Sequence, residues 1–317
     1  MEETTCNLCG SEESKLVFCS SDRLHGLPGK FNIVQCLNCD LLYLNPRPDR
    51  SEINLYYPDT YNAYVSWRTD RKSLKEYVAK KCWGKHPPKG IDKLLSALFK
   101  KRLMGMPDYV DRGKVLDIGC GNGYMVNLLN ELGWDSFGLE MSEIAVRAAQ
   151  EMGLKIQCGS IDDDVEYYPS GSFDAVLMLQ VLEHLYDPLK VLIKVHKLLK
   201  PGGQLIVTTP NASGFMAKFW NARWRGWESP RHLNLFGRKT LGEILICAGF
   251  LNAEMLNFGR GSTLSYGLEY LISDILHRKI ILGENPFLLR IGDVIMEIFS
   301  RVGLGDQLEA RCRVPFN

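Results

Sequence analysis

The sequence of 317 residues has no run of about 18 consecutive apolar residues, because Gln180, Asp293 or Glu297 interrupts each candidate. A membrane-spanning helix is therefore not expected. The first six residues are acidic and polar, whereas a secretory signal begins basic and continues apolar. A charge excess is also missing, with 38 Lys and Arg against 37 Asp and Glu, which removes a whole-chain argument for nucleic-acid binding. We expect a cytoplasmic globular protein.

Two familiar nucleotide-binding patterns are missing as well. No G-x-x-x-x-G-K-[ST] occurs, which excludes a P-loop. One glycine-rich turn follows an apolar run and reads G-x-G-x-G from Gly119, with Tyr124 where the dinucleotide fingerprint needs Gly or Ala. A nicotinamide cofactor is therefore disfavoured. The turn still lets a ligand approach the backbone at the start of a helix.

Cysteine is the residue type with the clearest spacing. Two C-x2-C pairs are separated by 26 residues, and each pair can direct two sulfurs at one tetrahedral ion. The predicted zinc ligands are Cys6, Cys9, Cys36 and Cys39. A redox dithiol pair, or Cys19 or His25 in place of one ligand, is the alternative. Four thiolates close the site to catalysis, and the metal would stabilise a module too short to bury its own core.

From Lys114 onward, short apolar runs alternate with helix-length segments, which predicts βαβ units and a parallel sheet. The predicted class is therefore α/β, a Rossmann-like doubly wound sheet with a zinc ribbon before it and a helical insertion near its end. The predicted divisions are a zinc-ribbon module over 1–50, a basic helical arm over 51–105, the core over 106–260, the insertion over 261–303 and a closing strand over 304–317.

Two segments offer surface for a partner. Residues 68–102 contain twelve Lys or Arg against three Asp or Glu, which indicates either solvated helix faces or contact with an anion or a membrane. Behind Pro286, apolar residues recur at steps of three and four and predict an amphipathic helix over 286–303. Its stripe could pack on the core, lie on a membrane surface or form a dimer. Peripheral contact with the inner membrane face through both segments is one expectation.

Acidic residues and a histidine follow the predicted strands. Glu140 ends a strand 23 residues after Asp117, where a carboxylate can accept both hydroxyls of a ribose. Asp162 could accept an adenine amino group. The Glu183-His184 pair follows another strand, and His184 is either a general base or a packed, capping histidine.

At this point the sequence resembles a known family. The ordered segments VLDIGCGNG, FGLE, GSID, FDAVLMLQVLEH and LLKPGGQLIVTTPN are similar to class I S-adenosylmethionine-dependent methyltransferases, in the branch that shares LEH and HLNLF signatures. The resemblance covers about residues 105–258. The N-terminal CLNCDLLYLNPRP and YYPDTY resemble a zinc-binding module attached to many such enzymes in polysaccharide and natural-product pathways.

This resemblance implies a sheet of order 3-2-1-4-5-7-6 with strand seven antiparallel, and S-adenosylmethionine as cofactor. The implied cofactor residues are Asp117, Gly119 and Gly121 around the methionine part, Glu140 at the ribose, Met141 and Asp162 at the adenine, and Gln180 beside the methyl group. The catalytic candidates are His184 and His232. Some relatives bind a divalent metal through E-x-x-E-H, but Gln180 replaces the first carboxylate here and argues against that.

We therefore expect methyl transfer, at oxygen rather than nitrogen or carbon, to a small molecule or glycan. The basic arm favours an anionic acceptor such as a nucleotide-linked or lipid-phosphate-linked sugar. The aromatic segment 220–232 would either contact such a ligand or pack on the core. The alternatives are a zinc-ribbon RNA methyltransferase, which salt-sensitive RNA binding would reveal, and a catalytically idle binding module, which would bind cofactor without turnover.

Overall fold

The computed structural model describes residues 1–58, 104–163 and 165–316. The predicted basic arm lies almost entirely outside the described residues. Among the residues described, no helix is both long enough and apolar enough to cross a membrane.

A seven-stranded sheet forms the centre of the chain. Its order, from one edge to the other, is β10-β11-β8-β7-β4-β5-β6. All neighbours are parallel except β11, which runs antiparallel to β8 and to β10. The strands are β4 (Lys114–Ile118), β5 (Asp135–Glu140), β6 (Ile156–Cys158), β7 (Phe173–Leu179), β8 (Leu199–Pro210), β10 (Leu251–Phe258) and β11 (Gln307–Arg313). The predicted sheet order and the antiparallel closing strand are confirmed.

Helices cover both faces of this sheet. They are α1 (Tyr124–Glu131), α2 (Glu143–Glu151), α3 (Pro188–Leu198), α4 (Phe215–Trp220), α5 (Arg238–Cys247), α6 (Ser262–Leu276) and α7 (Pro286–Arg301). Because β7 is buried on both faces, its apolar residues are almost continuous, from Ala175 to Met178 with no exposed side chain. Helix α3 starts where Asp187 accepts a hydrogen bond from the Lys190 amide, with Pro188 at its first position.

The N-terminal module forms a second, small antiparallel sheet. Strands β1 (Ser14–Ser20), β2 (Phe31–Cys36) and β3 (Leu42–Leu44) are extended by β9 (Asn234–Leu235), which belongs to the methyltransferase-like part of the chain. The Leu44 amide also donates to the Leu233 carbonyl at 3.0 Å. The module is therefore hydrogen-bonded directly to the segment that carries His232.

Apolar packing joins the same two parts. Trp224 and Trp227 are 2% and 6% exposed and belong to one buried cluster with Phe31 and Ile33 of β2. The Phe18 and Trp227 rings meet edge to face, 5.1 Å between centroids. These two tryptophans therefore pack in the core. This agrees with the alternative that the aromatic segment 220–232 packs on the core and does not contact a ligand through these rings.

Helix α7 presents its apolar stripe outward. Gly292 and Met296 face inward. A side chain at position 292 would collide with the backbone of Gly261, so the helix packs closely against that backbone through this face. The residues of the predicted stripe beyond Leu288 are all exposed, namely Ile291, Ile295, Ile298 and Val302. The prediction that this stripe packs on the core is therefore wrong, because the helix makes its close contact through another face, the one that carries Gly292.

Candidate functional site

A cavity of about 570 Å³ opens at the carboxyl ends of the parallel strands. This is where ligands bind in open α/β sheets, at the point where the strand order reverses. Seven predicted site residues line it: Gly119, Glu140, Met141, Asp162, Gln180, His184 and His232. Asp117 is buried on β4 beneath the glycine turn, and Gly121 contacts the cavity wall through Glu140.

Glu140 is fixed at the end of β5 by two backbone amides. Its Oε2 accepts from the Gly121 amide and its Oε1 from the Ser142 amide, each at 2.8 Å. Burial raises the pKa of this carboxyl, while the amide bonds oppose the shift. Gly119 has φ +66°, and a side chain there would meet Val181 at 2.6 Å, so glycine keeps the turn close to the cavity.

Asp162 shares the cavity with two residues that the sequence did not identify. Its carboxylate is 2.8 Å from the Arg50 guanidinium and accepts from the Tyr186 amide at 3.3 Å. The Arg50 guanidinium lies 4.6 Å above the Tyr186 ring. Met141, by contrast, is 51% exposed and presents an apolar side chain to the same region.

Gln180 lies at the end of β7 in a left-handed conformation, with φ +61°, which is uncommon for a residue with a side chain. Its backbone amide donates to the Thr208 carbonyl at 2.9 Å, and its side-chain amide donates to the Thr208 hydroxyl at 3.2 Å. These bonds hold the residue at the cavity wall.

The two candidate histidines lie side by side, with ring centroids 4.7 Å apart. His184 Nδ1 is 3.0 Å from the Arg231 carbonyl and 2.9 Å from the Tyr57 hydroxyl. His232 Nδ1 is 2.8 Å from the Gly226 carbonyl. Because a carbonyl oxygen only accepts hydrogen bonds, each Nδ1 carries the proton and each neutral ring keeps a lone pair on Nε2.

Burial governs the charge of this group. It lowers the pKa of His184 to about 3, with the neighbouring His232 adding to the shift. The pKa of His232 is also lowered by burial, against the attraction of Glu228. Burial raises the pKa of Glu228, but His232 in its protonated form, together with Arg231 and Arg225, more than offsets this and brings the pKa to about 2. Both imidazoles are therefore neutral near pH 7, with a carboxylate beside them.

Glu183 lies beneath the histidines and is fully buried. Neither of its carboxylate oxygens has a hydrogen-bond partner among the described residues, and burial raises its pKa to about 8. Ligand atoms of Glu183, His184 and His232 all lie within 4.8 Å of one another. The carboxylate and imidazoles of this group can take up a proton from a bound hydroxyl compound. They are also ligand types that suit a divalent cation.

Arg231 connects the N-terminal module to this site. Its guanidinium is fully buried and forms two bonds to Asp22, of 2.8 and 3.1 Å. It also donates to Glu228 at 3.1 Å and to the Tyr56 carbonyl at 3.0 Å. A bidentate guanidinium–carboxylate pair fixes the orientation of both partners.

The four predicted zinc ligands come together at the far end of the same module. The Sγ atoms of Cys6 and Cys39 are 3.4 Å apart, those of Cys9 and Cys36 are 3.5 Å apart, and all four lie within 4.8 Å. Thiolates around tetrahedral zinc, at bonds of about 2.3 Å, lie about 3.8 Å from each other. The cluster therefore fits a structural zinc ion.

Comparison with known proteins places the chain in a family. A family model described as a methyltransferase domain matches residues 83–254, more than half of the chain. The chain belongs to this methyltransferase-domain family, which confirms the resemblance to the class I S-adenosylmethionine-dependent enzymes at the level of the domain.

Individual relatives match over shorter stretches. A ubiquinone biosynthesis O-methyltransferase of Pseudomonas aeruginosa is 38% identical over 104 residues, 31% of this chain and 44% of the relative. The enzyme of the same description from Xanthomonas oryzae is 34% identical over 134 residues, 38% and 54% of the two chains. The chain thus matches about half the length of these curated relatives. A solved methyltransferase of Archaeoglobus fulgidus is 19% identical, with 70% and 93% of the chains covered and a TM-score of 0.47.

Proposed function

We propose that the protein transfers the methyl group of S-adenosylmethionine to a hydroxyl oxygen of a small molecule. The observation that carries this is the composition of one cavity, in which Glu140 and Asp162 share the space with His184 and His232. The first pair suits a ribose and an adenine, and the second pair suits proton removal from a hydroxyl. The O-methyltransferase descriptions of the matched relatives support the choice of oxygen.

The residues present fit the cofactor. Glu140 is held by two amides with its carboxylate at the cavity wall, so it can accept hydrogen bonds from vicinal hydroxyls without reorganisation. Met141 would cover the adenine, Asp162 would accept from its amino group, and Gln180 would lie beside the reacting end. When bound, S-adenosylmethionine supplies a methyl group already activated by the sulfonium charge.

A hydroxyl acceptor has to lose one proton as the methyl group is transferred. His184 and His232 both present a neutral ring whose Nδ1 is occupied by a backbone carbonyl. The remaining nitrogen of either ring can therefore accept that proton. We assign the role to His184, because its Nδ1 contacts the carbonyl of Arg231, and the side chain of Arg231 is fixed by the buried pair with Asp22.

The acceptor is proposed to be anionic, a phosphate- or nucleotide-linked sugar being one class that fits. The buried tryptophans supply no stacking face for a sugar, since neither Trp224 nor Trp227 lines the cavity. The support comes from two arginines of the cavity wall, Arg225 and Arg260, which form no ion pair with a described carboxylate, although Glu140, Asp162, Asp163, Glu228 and Asp306 line the same cavity. A third arginine of the cavity, Arg50, is already paired with Asp162.

Glu140→Ala should weaken the affinity for S-adenosylmethionine at least tenfold, because it removes charge-assisted hydrogen bonds of about 1.5–3 kcal/mol each. Isothermal titration with the cofactor measures this. Glu143→Ala is the matched control, since that carboxylate is exposed, pairs with Arg147 and lies outside the cavity. Unchanged affinity in Glu140→Ala would show that the ribose is held elsewhere. NADH should show no comparable affinity.

Peripheral membrane contact through 286–303 remains a separate proposal. It is supported by the outward apolar stripe of α7, in which Ile298 and Val302 are 58% and 66% exposed. The full chain should co-float with vesicles containing anionic lipid, and Ile298→Ser with Val302→Ser should reduce that binding about tenfold or more. Equal flotation of the double variant and the wild type would remove the helix from the membrane contact.

A further inference from the structure

Two arginines of the cavity have no role in the cofactor contacts described above. Arg225 lies in the segment between α4 and β9, and Arg260 lies between β10 and α6. Both line the cavity together with Ser262 and Thr263, the first two residues of α6. The partners of Glu140 and Asp162 come from other segments, so these arginines belong to a different wall.

Neither guanidinium lies within ion-pair distance of a carboxylate in the part of the chain that the structure describes; Glu228 and Asp306 attract them only from farther away. The Nε atom of Arg225 is buried without a hydrogen-bond partner there. Neither Arg225 nor Arg260 forms an ion pair with the described acidic residues. Arg223, only two residues away from Arg225, shows the contrast, since it donates to Asp274 at 2.7 Å.

The nearby carboxylates already have other partners. Asp306 accepts from the Arg260 backbone amide and from the Thr263 hydroxyl, and burial raises its pKa. Glu228 accepts from Arg231, at 3.1 Å. Glu183 is buried, and its raised pKa disfavours the charged form. The two guanidiniums therefore remain open to a further negative group.

The side chain of Arg225 is also positioned before any ligand binds. The Arg225 guanidinium stacks on the Tyr266 ring at 4.1 Å, and Tyr266 belongs to α6. Loss of hydration lowers the pKa of Arg260. Asp306 opposes this shift, and the positive charge of Arg225 adds to it. Arg225 is partly buried and Arg260 is exposed. Two like charges at one wall repel each other, and an anion between them relieves the repulsion. The N-terminal end of α6, a helix of 15 residues, adds partial positive charge to the same wall.

We propose that Arg225 and Arg260, with the start of α6, bind an anionic oxygen group of the methyl acceptor, either a phosphate or a carboxylate. This inference rests on the proposed methyltransferase function and names the part of the acceptor that the protein recognises. A guanidinium binds the two oxygens of either group in a fork-like manner. The anionic group would anchor the acceptor on this wall, in the cavity that also contains His184 and His232.

The test is direct titration of the full-length, zinc-loaded protein with inorganic phosphate and, separately, with benzoate. We expect one of them to bind to the wild type, and Arg225→Gln and Arg260→Gln each to weaken that binding about tenfold or more. Arg223→Gln is the matched control and should bind as the wild type does. Arg260→Lys, which keeps the charge but loses the fork, should bind with intermediate affinity and guards against a folding defect in the glutamine variant.

Each result has a definite meaning. Phosphate binding that depends on both arginines supports a phosphorylated acceptor, and benzoate binding that depends on them supports a carboxylate acceptor. Binding of neither probe, or an equal loss in Arg223→Gln, overturns the proposal. S-adenosylhomocysteine is titrated against the same variants and should keep its wild-type affinity within about twofold. Failure of that compound to bind the wild type, with anion binding intact, would reject the proposed function while leaving the anion site in place.

Discussion

His184→Ala is expected to leave the affinity for S-adenosylmethionine within about twofold of wild type and to lower turnover by roughly 10²–10⁴. The reason is that the cofactor already activates the methyl group, so the protein mainly aligns the acceptor and removes one proton. The Nδ1 proton of His184 points to the Arg231 carbonyl, which leaves the other nitrogen to accept. Turnover with an unmethylated hydroxyl acceptor and titration with cofactor measure the two effects separately.

The competing base is His232. If His184→Ala stays near wild type while His232→Ala collapses, the role passes to His232; if neither matters, proximity alone suffices. His277→Asn is a control, because His277 lies at the end of α6 outside the cavity, in a left-handed conformation that asparagine tolerates.

The dependence of kcat/KM on pH gives a second readout for His184. Its folded-state pKa of about 3 lies well below the usual value near 6.5, so the neutral base persists as the pH falls from 7 to 5. The acidic limb should therefore not follow an apparent pKa near 6.5. A loss of kcat/KM with that midpoint, which disappears in His232→Ala but not in His184→Ala, would contradict the assignment.

The second large effect concerns the cysteine cluster. The purified protein should contain close to one zinc ion per chain, and Cys36→Ser should lose it and unfold the N-terminal module before the rest. Structural zinc contributes about 10–16 kcal/mol to the folding of small modules. This is as large as the whole free energy of unfolding of a typical domain, about 5–15 kcal/mol. Elemental analysis measures the metal, and limited proteolysis followed by mass spectrometry shows which part opens first.

Cys19→Ser is the matched control for this experiment, because Cys19 is an exposed cysteine of the same module outside the cluster. It should keep the metal and the wild-type stability. Absence of zinc from reduced, chelator-free preparations would contradict the prediction, as would equal metal loss in the two variants. Any loss of methyl transfer on chelation should track unfolding of the module, because no cysteine of the cluster lines the cavity, whereas Arg50 of the module does and pairs with Asp162.

The strands could be predicted from local pattern, since buried parallel strands such as β4 and β7 read as short apolar runs. The order of the strands came from the family resemblance, because pairing between distant segments leaves no local period. The stripe on α7 shows the limit of the pattern itself. Periodicity identified an apolar face, but whether a neighbour covers that face depends on tertiary packing, here on the contact between Gly292 and Gly261.

The same limit applies to the cavity. Glu140 could be placed from its position at a strand end after the glycine turn, which is a local signal. The pairing of Asp22 with Arg231 joins residues 209 positions apart, and nothing in either local sequence indicates a buried charge. Arg225 and Arg260 are likewise ordinary surface types in the sequence, and only the fold brings them to the wall of one cavity.

The shared strand pairing between β3 and β9 has a consequence for how this protein can be divided. Asn7, between the first two cysteines, donates to Asn234, which in turn donates to the Leu185 carbonyl next to His184. A core produced without residues 1–50 would have no strand beside β9 and would bury the Arg231 guanidinium without Asp22, at a cost of about 3–5 kcal/mol. Transplanting the N-terminal module between relatives should therefore succeed only when residues 228–236 are exchanged with it.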